Sequence, residues 1–92
     1  MPNEQEIRAL AQKVLHAGTV PRHDPDRTWG GPGVDVSCTI CGKTISRSQM
    51  EYELQFSHDG ANPGLDRFHM HLRCFAAWEL ERTKVDGYGG SR

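Results

Sequence analysis

Ile7, Leu10, Ala11, Val14 and Leu15 recur at i, i+3, i+4, i+7 and i+8, the spacing of a single helical face, so residues 4–17 are expected to form an amphipathic helix. Asn3 and Glu6 stand at the positions of a capping box, and Gly18 is a natural stop. The apolar stripe has two readings: packing on the rest of the chain, or docking a partner or a second copy. Further on the period changes from 3.6 to 2. Met50-Glu51-Tyr52-Glu53-Leu54-Gln55-Phe56 alternates apolar with polar residues, which predicts a strand with Met50, Tyr52, Leu54 and Phe56 toward the core and Glu51, Glu53 and Gln55 toward water. The stretch from His58 to Gly64 is dense in turn residues, and Asp66 to Met70 is expected to return as an antiparallel strand.

A second helix is expected from about His71 to Thr83, with a wide apolar surface of Leu72, Phe75, Ala76, Trp78 and Leu80. On its wet side Glu79 can pair with Arg82, and Glu81 with Lys84, at i+3. Residues 19–35 have no periodicity and are rich in Pro and Gly, which reads as a linker; Trp29 within it is expected to cover apolar surface of the folded part. Residues 86–92 read as a disordered tail. The organisation expected is thus an N-terminal helix (1–18), a Gly/Pro-rich linker (19–35), a folded unit (36–85) and a tail, in the α+β class.

Inside that folded unit lies a pattern with chemistry. Cys38 and Cys41 have two residues between them, and after 29 more residues come His71 and Cys74, again with two between. A Cys-x-x-Cys turn aims two sulfurs at one point, helped by Gly42, which lets the backbone turn back. His and Cys three apart on a first helical turn aim two more ligands from the other side. A Cys3His set suits one tetrahedral zinc, and because protein fills all four positions the ion is expected to be structural, with no position left for water or substrate. His69 lies two residues from His71 and shares its face on a strand, so it is either a neighbour or an alternative ligand; the H-x2-C spacing favours His71.

Composition makes such a staple necessary. Ninety-two residues with 36% apolar content, ten glycines and five prolines form a thin core. Structural zinc contributes an apparent ~10–16 kcal/mol in small fingers, against a net stability of about 5–15 kcal/mol for a whole domain. Three cysteines do not make a disulfide set, and no apolar stretch resembles a signal peptide or membrane span, so a reducing cytoplasm is expected. Protons compete with zinc for the three thiolates, so acid is expected to release metal and unfold the domain together.

The knuckle, hairpin and ligand-bearing helix, in that order, describe a treble-clef finger. C-x2-C, about thirty intervening residues and H-x2-C followed by an aromatic resemble the zinc fingers of poly(ADP-ribose) polymerases and their DNA-ligase relatives. The resemblance runs from Cys38 to about Trp78 and includes Ile45, the strand Tyr52-x-Leu54-x-Phe56 and the block Phe68-x-x-His71-x-x-Cys74-Phe75-x-x-Trp78. It implies Cys38, Cys41, His71 and Cys74 as ligands and recognition of DNA breaks through the backbone and exposed apolar residues. The whole chain also resembles small stand-alone bacterial zinc proteins.

Charge separates the functional readings. The formal net charge is −1, which three thiolates and a divalent ion move to −2, and from Cys38 to Arg92 seven Lys/Arg face seven Asp/Glu. Strong sequence-independent nucleic-acid binding needs a positive patch; here Arg47, Arg67 and Arg73 are the candidates, with Trp29, Met50 or Phe68 to stack on bases. The expectation is a non-catalytic interaction module, monomeric or weakly dimeric, with a protein partner favoured over DNA and with neither membrane nor small-molecule substrate. Weaker alternatives are nuclease chemistry at His58-Asp59 or His69, whose Asn/His set has no counterpart here, and thiol redox chemistry at Cys38-x-x-Cys41, which no thioredoxin-like strand–helix frame precedes; zinc storage or sensing is a further one.

Overall fold

The computed structural model describes residues 2–58, 61 and 63–84. Helix α1 spans Glu4–Ala17, and its start is the expected capping box: Glu6 N–H donates to Asn3 Oδ1 at 2.8 Å while Asn3 N–H donates to Glu6 Oε1 at 3.0 Å. Gly18 ends it in the left-handed region at φ 75°, where its N–H reaches the carbonyls of Val14 and Leu15. The stripe read from the sequence is buried at Ile7, Ala11 and Leu15, with Leu10 and Val14 partly covered. It packs against a second helix, α2, at Leu72–Arg82.

Between the helices the described residues form five strands: β1 (Arg27–Pro32), β2 (Val36–Ser37), β3 (Thr44–Ile45), β4 (Met50–His58) and β5 (Gly64–His71). β4 and β5 make the antiparallel hairpin that alternation predicted, in register from Glu51↔His71 to His58↔Gly64. β2 and β3 form a separate two-stranded ribbon. The fold is α+β, with two helices and antiparallel sheets.

The stretch expected to be a linker is different. Arg27–Pro32 is a strand that pairs antiparallel with β4 along its other edge, giving the sheet order β1-β4-β5. Gly-Gly-Pro has poor strand propensity, so nothing local predicts it; the open edge of β4 supplies the hydrogen-bond partners. Asp26 helps to anchor its start, accepting from Ser57 N–H at 2.6 Å and from Ser57 Oγ–H at 2.8 Å. Val20, from the same stretch, is in the core. Trp29, expected to cover apolar surface, is instead 51% exposed, with the Arg27 guanidinium 5.9 Å from its ring centroid. The tail expected at 86–92 lies outside the described residues.

Just beyond β1, Gly33 is packed where no side chain fits. A Cβ there would stand 2.2 Å from the Ser46 carbonyl oxygen and 2.7 Å from that of Ile45. Both are backbone atoms, so neither can swing aside. Gly33→Ala is expected to lower stability by about 1–3 kcal/mol in chemical denaturation of the metal-loaded chain. Gly31→Ala is the control with little effect, since its Cβ would meet nothing within 4 Å.

The core joins both helices to one face of the sheet through Leu54, Phe56, Met70 and Trp78. Two parts of the expected pattern shift. Met50 is half exposed, because it sits at the open end of β4, whereas Glu51, expected to face water, is only 6% exposed. Glu81 was expected on the wet side of α2, and its pairing with Lys84 is present at 3.2 Å. Yet Glu81 is buried between the helices, where Arg8 Nε donates to Oε2 at 2.9 Å and Gln12 Nε2 donates to Oε1 at 2.8 Å.

Burial pushes the Glu81 carboxyl upward, but the hydrogen bonds from Gln12, Arg8 and Lys84 outweigh it and hold the group down at about 2. A carboxylate depressed in the folded chain contributes stability that is complete above its unfolded value, near 4.5, and fades as pH falls toward 2. Glu81→Gln is therefore expected to cost on the order of 2–3 kcal/mol at neutral pH, allowing for the solvent exposure of Arg8 and Lys84. The difference from the native chain should shrink below pH 4.5 in paired denaturation curves.

Candidate metal centre

β2 and β3 hold a tight knuckle between them. Cys38 N–H donates to the Lys43 carbonyl and Gly42 N–H to the Cys38 carbonyl, both at 2.9 Å, and Gly42 takes φ 79° to close the turn. Cys38 and Cys41 are thereby brought to one side of the ribbon. Thr39 N–H, donating to the His69 carbonyl at 2.8 Å, ties the knuckle to β5. His71 is the last residue of β5 and the N-cap position of α2, and Cys74 sits in the first helical turn.

These elements bring the four sequence-predicted residues together: one ligand atom each from Cys38, Cys41, His71 and Cys74 lies within 4.8 Å of every other. Cys38, His71 and Cys74 are buried and Cys41 is partly so. His71 Nδ1 is 3.4 Å from Cys41 Sγ and 3.9 Å from Cys74 Sγ. In a tetrahedron with Zn–S of ~2.3 Å and Zn–N of ~2.0–2.1 Å, the sulfur–nitrogen edge is about 3.5 Å, so this donor set has the size and chemistry of a zinc site.

The thiols show why a cation belongs there. A hydrogen bond from the Cys74 thiol lowers Cys38 to about 4, against the opposing effect of burial. The same bond, with burial and the nearby Cys38 charge, pushes Cys74 far up; burial is the largest cause raising Cys41. The protein alone thus supports one thiolate and resists the next two. A divalent ion inverts that balance and lets all three sulfurs ionise.

His69, the alternative ligand, points elsewhere. Its Nδ1 is 2.9 Å from Glu51 Oε2, on the face of the sheet that β4 and β5 share with Glu53. Glu51, Glu53 and His69 form a second group with ligand atoms within 4.8 Å of one another. Sequence reasoning missed this group because it assigned the two glutamates to solvent; the signal was their i, i+2 spacing opposite a histidine-bearing strand.

The three arginines offered for phosphate contact each meet a carboxylate. Arg47 Nε is 2.8 Å from Asp35 Oδ2, Arg67 Nε is 3.5 Å from Glu53 Oε2, and an Arg73 guanidinium nitrogen is 3.5 Å from Glu4 Oε1. Among the described residues no helix is long and apolar enough to cross a membrane. Comparison of the chain with known protein families, with curated proteins and with solved structures finds no match.

Proposed function

We propose that this chain is a non-catalytic, treble-clef-like module whose Cys38, Cys41, His71 and Cys74 hold one structural zinc, and whose exposed apolar surface docks a protein partner. The observation that supports the metal reading is the closed donor set itself: three sulfurs and one imidazole at tetrahedral spacing, drawn from the knuckle, the end of β5 and the first turn of α2. Such a site shapes the surface around it and leaves no position for a substrate.

Helix α2 supports the docking reading. It turns Cys74, Ala77, Trp78 and Glu81 inward, while Leu72, Ala76 and Leu80 form an outward stripe at i, i+4, i+8. Leu72 and Leu80 are 48% and 46% exposed. Met50 stands at the same end as Leu72, each one residue beyond the Glu51↔His71 pair. A protein partner suits this apolar surface better than nucleic acid does, because the candidate arginines are already paired with acidic groups.

The test compares the zinc-loaded chain with Leu72→Glu/Leu80→Glu in affinity capture followed by direct binding of the purified partner. Retention by the native chain, with a loss of at least tenfold in the double variant at unchanged zinc content, is the expected result. DNA binding is the alternative reading, and the half-exposed Trp29 beneath Arg27 is the feature that favours it. Salt-steep binding to nicked or single-stranded DNA, lost on Trp29→Ala and indifferent to the α2 changes, would replace the protein-docking reading.

A further inference from the structure

We infer that Glu51, Glu53 and His69 form a second cation site, distinct from the thiolate cluster, that takes a divalent first-row metal preferring oxygen and nitrogen donors, such as Mn2+. The three side chains are placed by sheet register. Glu53 stands directly opposite His69, and Glu51 stands two residues away on the same face of β4. One ligand atom from each falls within 4.8 Å of the others. Two carboxylates neutralise a divalent ion, and a set of oxygen and nitrogen donors without sulfur accepts Mn2+ or a similar first-row ion.

An independent observation points to a missing ligand. The Glu51 side chain is 7% exposed, and although Oε2 pairs with His69 Nδ1, Oε1 is buried with no hydrogen-bond partner. A buried carboxylate oxygen without a donor is costly, and its usual explanation is an ion or water that satisfies it. An ion held by both Glu51 oxygens would satisfy Oε1, while the 2.9 Å between Oε2 and His69 Nδ1 is close to the ~3 Å edge between adjacent ligands around an ion with ~2.1 Å bonds.

There is room for the rest of a coordination shell. Gly31 is the register partner of Glu51 on β1, so β1 places no side chain directly beside that glutamate, while Trp29, the partner of Glu53, flanks the other end of the group on the same face. The volume that a Cβ on Gly31 would take has no heavy atom within 4 Å. Glu53 meets Gln55 Nε2 at 3.1 Å and Arg67 Nε at 3.5 Å through the same oxygen, Oε2. The ion would hold protein ligands on one side and water on the other. This inference does not depend on whether α2 docks a partner.

Mn2+ is the probe, because it ranks lowest in the affinity order of the divalent first-row metals and leaves zinc on thiolates in place. The zinc-loaded full chain is titrated with Mn2+, following loss of the free-ion electron paramagnetic resonance signal, with zinc content and circular dichroism measured on the same samples. One Mn2+ per chain is expected, with affinity reduced at least about tenfold in Glu53→Gln and in His69→Gln, and zinc still at one per chain. Both substituted side chains are partly exposed, so the fold should tolerate them. Absence of Mn2+ binding at millimolar concentration, or binding that both variants leave unchanged, would overturn the proposal and return Glu51 to the role of a carboxylate that orients His69.

Discussion

Removing the metal from the Cys38, Cys41, His71 and Cys74 cluster, by a chelator or by Cys74→Ser, is expected to unfold residues 36–84 rather than loosen them. The cluster is where three elements meet: the β2–β3 ribbon, the end of β5 and the start of α2. The ribbon itself has only two residue pairs, Val36↔Ile45 and Ser37↔Thr44, too few to be stable alone. Withdrawing an ion worth ~10–16 kcal/mol from a domain with a net stability of about 5–15 kcal/mol leaves no folded majority. Far-UV circular dichroism and amide dispersion, read beside zinc analysis, should be lost together and return together when zinc is restored. A dispersed, zinc-free spectrum at neutral pH would defeat the prediction.

The same sites fix the direction of the pH effect. Cys38 is already inclined to ionise, with a value lowered to about 4, but Cys41 and Cys74 are pushed up when no cation is near. Zinc binding is therefore expected to release protons, with an apparent affinity that falls as pH falls in metal titrations.

Trp78→Ala is expected to cost about 3–5 kcal/mol with the metal still bound, the range for deleting a large aromatic from a core. Trp78 is fully buried, between Phe75 at 5.9 Å and Phe56 at 6.3 Å between ring centroids. It also carries the Arg82 guanidinium, 4.6 Å from its ring. That arginine in turn donates to Glu79, Asp24 and the Arg22 carbonyl, so the ring supports the junction between α2 and the segment after α1. Trp78→Phe should cost less than Trp78→Ala, because it keeps most of the apolar volume and removes an indole N–H that has no partner. Equilibrium unfolding in denaturant at saturating zinc would measure both. Equal losses in the two variants would show that aromatic volume is not what matters there.

Where a residue's role depends on near neighbours in the chain, the sequence was enough. The bounds of α1 follow from Asn3, Glu6 and Gly18, each acting within four residues. The β4–β5 hairpin follows from alternation, and the pairing of Cys38 with Cys41 and of His71 with Cys74 follows from two short spacings whose backbone geometry is local. Roles set by distant segments were not legible. Glu81 has the spacing of a solvent pair with Lys84, and only the packing of α1 brings Arg8 and Gln12 to bury it. Glu51 has the parity of a wet position, and nothing within its own strand shows that it is covered.

The sequence by itself determined the amphipathic helix, the hairpin, the class of the fold and the two ligand-spaced pairs, Cys38 with Cys41 and His71 with Cys74, because each rests on periodicity or spacing over a few residues. Tertiary structure alone decided that Arg27–Pro32 is a strand, that the arginines proposed for phosphate are held by carboxylates, and that Glu51, Glu53 and His69 share one place. Those outcomes depend on edges, charges and faces that meet only when residues 12 to 69 positions apart are brought side by side. No local propensity encodes such meetings, since the hydrogen-bond partners and opposite charges that decide them come from elsewhere in the chain.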